Sequence, residues 1–82
     1  MAGSARMPGR RPYRETLLQH LAQAGRHVAQ GEEHICKQEA LIAELDRDGH
    51  DATYARALLQ TMRDTQALHR EDLMHILGAL EQ

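Results

Sequence analysis

The chain contains no tryptophan, no phenylalanine and only two tyrosines, Tyr13 and Tyr54. Any core must therefore be built from Leu, Ile, Val, Met and Ala, and the aromatic platforms on which single-stranded nucleic acids stack are missing. There is one cysteine, Cys36. It cannot form an internal disulfide, which excludes the stapled scaffolds of small secreted domains. The only prolines are Pro8 and Pro12, so beyond residue 12 nothing stronger than glycine interrupts a helix. No apolar run is long enough to span a bilayer. The first residues, MAGSARMPGRRP, lack the apolar segment of a secretory signal. These absences lead us to expect a soluble, cytoplasmic protein with no membrane partner.

The 82 residues set a limit of one small domain. Chains of this size bury only about 60% of the surface their unfolded state exposes, so stability is marginal. The usual remedies are disulfides, a metal or self-association, and the first is unavailable here. Charge is unevenly placed. Residues 1–14 hold Arg6, Arg10, Arg11 and Arg14 and no acid, while the rest holds six Lys/Arg against twelve Asp/Glu. A basic arm thus precedes an acidic body.

The composition of residues 1–12, with both prolines and two of the six glycines, predicts a flexible arm. Residues 13–82 predict a helical hairpin: a helix over 13–48, a turn at 49–51 and a helix over 52–81. Pro12 suits a first helical turn, and Thr16 followed by Gln19 is a possible capping box. In the segment RDGHDAT (47–53), Gly49 suits a left-handed C-terminal cap. Asp51 or Thr53 can cap the helix that follows.

Both helices carry apolar residues in alternating steps of three and four, the coiled-coil pattern. In the first helix the a positions are Leu21, Val28, Ile35 and Ile42, and the d positions are Leu17, Ala24, Gly31, Gln38 and Leu45. In the second, a falls on Ala52, Leu59, Gln66, Leu73 and Leu80, and d on Ala55, Met62, His69 and Ile76. The e edge is acidic on the first helix (Glu32, Glu39, Asp46) and basic on the second (Arg56, Arg63, Arg70). That complementarity selects an antiparallel pair, with each exposed ion pair contributing roughly 0.2–1 kcal/mol.

One register sets Gly31 opposite Gln66 and Leu17 opposite Leu80. It pairs Glu39 with Arg56, Glu32 with Arg63 and Leu18 with Leu77 on one flank, and Leu41 with Leu58, His34 with Thr65 and His27 with Asp72 on the other. Sliding by one heptad keeps acid against base but leaves Leu18 unpaired, so the first register is preferred. The expected fold class is all-α, an antiparallel two-helix hairpin with coiled-coil packing. Its seam contains Gly31, Gln38, Gln66 and His69, while Leu68 and Met74 lie off it. A two-helix layer with so polar a seam lacks a second layer to close its core. Dimerisation to a four-helix bundle is the simplest completion.

Six histidines are the feature most suggestive of chemistry. His20, His27 and His34 form a seven-residue ladder on the g edge. Seven helical residues rise about 10.5 Å. Two nitrogens on one zinc, bound at about 2.0–2.1 Å, lie only a few ångströms apart, so no two ladder residues share an ion. There is no His-x-x-x-His and no Glu-x-x-His spacing. The best composite cluster joins His69 and Asp72, at i and i+3, to His27 across the hairpin. Helix-edge histidines bonded to a carboxylate or water are the commoner arrangement, and no metal or cofactor is expected. No enzyme is expected either: a hairpin offers no enclosed pocket, Ser4 is the only serine, and His34 and Cys36 fall on different helix faces. Nucleic acid is the alternative partner, through phosphate neutralisation by the four N-terminal arginines. An acidic body argues for protein–protein interaction or regulation instead, with itself as one partner and an unidentified protein as another.

The segments HVAQGE (27–32), LDRDGHD (45–51), ARALLQT (55–61) and ALHRED (67–72) resemble a group of short uncharacterised bacterial proteins with a helix–Asp-Gly-His-Asp–helix layout. The likeness covers roughly residues 26–77 and omits the arm. It implies a hairpin and a bacterial cytoplasmic setting, and it implies no activity, cofactor or site residue.

Overall fold

A computed structural model describes residues 10–82, with side chains from residue 13. It consists of two helices, α1 (Arg10–Arg47) and α2 (Thr53–Leu80), packed against each other as a hairpin. The fold is the all-α antiparallel hairpin that the heptads call for. Neither helix among the described residues is long and apolar enough to cross a membrane. Arm residues 1–9 lie outside the described residues. Residues 10–12, placed in the arm from composition, are helical. Pro12 explains why this is tolerated: in the first turn its missing N–H has no partner to lose, and its fixed φ already suits the helix.

The turn is built from two local devices. Gly49 adopts φ +75°, and the backbone around it closes a Schellman motif: His50 N–H donates to the Leu45 carbonyl at 2.8 Å, and Gly49 N–H to that of Asp46 at 3.2 Å. Replacing Gly49 with alanine forces a Cβ into the left-handed region, where an L-residue loses roughly 1–2 kcal/mol. The Gly49→Ala chain is expected to be less stable than the wild type by that amount in a urea titration followed by helical ellipticity. At the start of α2 the N-cap residue is Ala52, with no side-chain bond. The capping falls to Asp51, one position earlier. Its Oδ1 accepts from the Thr53 backbone N–H at 3.0 Å and from the Thr53 hydroxyl at 2.7 Å, an Asx turn. The backbone bond, followed by the hydroxyl bond and the nearby Arg56 charge, holds the Asp51 carboxyl below its ordinary range.

The seam follows the heptads closely. Every a and d position from Leu17 to Leu45 and from Ala52 to Leu80 is buried or half-buried. The apolar part is concentrated near the turn, where Ile42, Ala52, Ala55 and Leu59 form the buried cluster and Ile35 and Leu45 pack against it. Further along, two glutamines reach across to the opposite backbone. Gln38 Nε2 donates to the Ala55 carbonyl at 2.9 Å, and Gln66 Nε2 to the Val28 carbonyl at 2.8 Å. Gln66 lies against Gly31, as the preferred register requires.

The ion pairs differ from those expected of that register. Arg56 meets Asp46 at 2.6 Å, Arg63 meets Glu39 at 2.9 Å, and Arg70 meets Glu32. The expected Glu39–Arg56 and Glu32–Arg63 pairs do not form. The cause is the direction of helical side chains. Each Cα–Cβ bond tilts toward its own helix N-terminus. In an antiparallel pair, Glu39 and Arg63 start about five residues, or about 7.5 Å, apart along the axis and lean toward each other. Glu39 and Arg56 start nearly level and lean apart. The core thus keeps one register while the charges connect as though it were shifted by a heptad.

Candidate functional site

The middle of the hairpin holds the most chemically distinctive cluster. His27 projects from the g edge of α1, and His69 occupies a seam position of α2. The hairpin brings their rings to 5.4 Å between centroids, with planes tilted by 36°. His69 is half-buried, and its Nδ1 is shielded from solvent without a hydrogen-bond partner. A groove of about 230 Å³ opens beside the pair, lined in part by Gly31, His34, Thr65 and Gln66.

An adjoining groove of about 310 Å³ is lined by His20, His27 and Asp72 among others. His27 therefore faces both grooves. The sequence places His27 against Asp72. They border the same groove, but no ion pair joins them among the described residues. In the core register, His27 lies about one residue, or about 1.5 Å, from the level of His69 and about two residues from that of Asp72. The histidine pair is thus the closer of the two along the axis. The convergence of His27, His69 and Asp72 is realised as a two-histidine contact with the carboxylate to one side. Among the described residues, no group of three His, Cys, Asp or Glu side chains stands close enough to hold a metal ion.

Below this cluster, Gln66 organises the seam. It is only 4% exposed. Its Nε2 donates to Val28 O and also approaches Glu32 Oε2 at 3.2 Å. Glu32 in turn pairs with Arg70. A chain of polar groups therefore runs from the seam to the e flank, holding the two helices at a fixed register where apolar packing is thin. Gln66 Oε1 remains without a donor. The Gln38 bond to the Ala55 carbonyl had no sequence signature beyond a polar residue at a d position, since the register sets Gln38 opposite Leu59.

The other histidines are dispersed. His20 and His34 are exposed on the g edge, and His50 and His75 are exposed in the turn and on the outer face of α2. Cys36 is a free, exposed thiol. The stripe Arg56, Arg63 and Arg70 is engaged by carboxylates throughout. Arg26 and Arg47 are exposed outside that stripe. Arg6 lies outside the described residues, and Arg10 and Arg11 are described in their backbone alone.

Large apolar side chains remain on the outside. Leu18, Leu41, Leu58 and Leu77 are exposed on the flanks, and Leu68 and Met74 are 64% and 63% exposed. The flank pairs Leu18 with Leu77 and Leu41 with Leu58, expected to cover one another, leave much of their surface in solvent.

No family model, no curated protein and no solved structure matches the chain.

Proposed function

We propose that the chain is a small non-enzymatic interaction or regulatory protein that works as a dimer, two hairpins completing a four-helix bundle. The observation carrying this reading is the imbalance between inside and outside. Among the described residues, buried apolar positions are limited to Ala24, Ile42, Ala52, Ala55 and Leu59, none of them fully buried, while six Leu or Met side chains stay exposed. A single layer of two helices has no second face to bury, and scattered Leu and Met on both flanks supply one. The free arginine stripe that a nucleic-acid reading would favour is absent, because each of its members already faces a carboxylate.

Sedimentation equilibrium tests the proposal. The wild-type chain at tens of micromolar is expected to sediment at twice the 9.3 kDa chain mass, and Leu68→Glu with Met74→Glu to shift it toward the monomer. A wild-type monomer that melts cooperatively, with a midpoint independent of concentration, sinks the reading.

A further inference from the structure

We propose that His27 and His69 form a cross-helix site for a divalent cation of the zinc class. The argument begins with distance. Zinc–imidazole bonds are about 2.0–2.1 Å, and about one further ångström separates each ligating nitrogen from its ring centre, so two imidazoles on one tetrahedral ion have centres about 5–6 Å apart. The observed centroid separation is 5.4 Å. The ladder spacing on α1 alone cannot supply such a pair. The hairpin does, by bringing together two residues far apart in sequence and holding each on a packed helix.

The second line is the state of the nitrogens. His69 Nδ1 is buried without a partner, and among the described residues no protein group hydrogen-bonds to either ring. A buried imidazole nitrogen in a folded protein is normally satisfied, and leaving its bond unmade is unfavourable. A cation between the rings supplies the missing partner. Imidazole nitrogen selects zinc, copper or nickel over magnesium or calcium, which prefer oxygen.

The surroundings suit a cation held by two protein ligands. The pair borders the groove of about 230 Å³, which leaves room for water beside the rings. Among the described residues no third His, Cys, Asp or Glu is in reach, so water fills the remaining positions and the ion is exchangeable. Asp72, which has no ion pair among the described residues, borders the adjoining groove with His27 and places an uncommitted carboxylate near the site. The nearby cation, Arg70, is matched by Glu32 on the opposite flank. Such an ion would clip α1 to α2 where the seam is polar rather than apolar, and because it requires both helices in place it stabilises the folded hairpin alone. The site lies within one chain and does not depend on self-association.

The test is a thermal melt of the full chain with zinc chloride added stepwise, together with the His27→Ala and His75→Ala variants. His27 and His75 are both exposed, so neither substitution removes core packing. A saturable rise in melting temperature of about 5 °C is expected. His27→Ala should abolish it and His75→Ala should keep it. Changes in the histidine ring NMR signals during the titration should be largest at His27 and His69. No rise, a rise that survives His27→Ala, or a rise lost in His75→Ala overturns the site, as does a fall in melting temperature through general surface binding.

Discussion

Gly31→Ala is expected to destabilise the hairpin, although it replaces the poorest non-proline helix former with the best. On propensity alone the substitution gains roughly 1 kcal/mol. The site reverses the sign. A Cβ on residue 31 would lie 2.6 Å from Gln66 Cδ and 3.1 Å from Nε2. The amide can leave only by giving up its bond to the Val28 carbonyl and its approach to Glu32. Stranding a buried amide costs about 1–3 kcal/mol, so the net change is a loss of about 1 kcal/mol. In a Gln66→Ala background the obstacle is gone, and the same Gly31→Ala change should stabilise by about 1 kcal/mol. The coupling of about 2 kcal/mol is within the range for residues in direct contact. Urea titrations of the four chains of this double-mutant cycle measure it. A stabilising Gly31→Ala in the wild-type background would falsify the Gly31–Gln66 packing.

Gly31 shows which parts of the structure were legible in the sequence. A glycine inside a strong helical pattern, at a seam position facing a long polar residue, signals close approach, and the structure realises it. The a and d seam was equally readable, because helical periodicity records which face meets a partner. The ion pairs were not. Heptad letters give the edge on which a side chain lies, and that assignment held for the acidic and basic edges. They omit the lean of the side chain along the axis, and that lean moved Glu39 from Arg56 to Arg63. The start of α2 was partly readable. Asp51 was one of two capping candidates, and its bond to Thr53 is made from a position before the N-cap. The histidine cluster was half visible. His69 on the seam and His27 on the flank were placed correctly, but an opposite charge drew His27 toward Asp72, while the facing ring lies nearer its level along the axis.

Ile42→Ala should be the most damaging truncation along the seam. Ile42 is 8% exposed and sits in the main apolar cluster with Ala52, Ala55 and Leu59. The α2 residues Ala52 and Ala55 in that cluster are too small to reach into the space, and truncating a buried isoleucine costs about 2–5 kcal/mol. A core in a chain of this size supplies only about 3–5 kcal/mol in total. The variant should therefore have lost much of its helical ellipticity at 37 °C. Leu68→Ala provides the contrast. At 64% exposed in the single chain, Leu68 should change stability by no more than about 0.5 kcal/mol if nothing covers it. If a second hairpin covers that flank, its truncation costs far more, and the melting midpoints of both variants rise with protein concentration because association and folding are linked. Melting the two variants at several concentrations thus separates the hairpin's own core, centred on Ile42, from any core shared between chains.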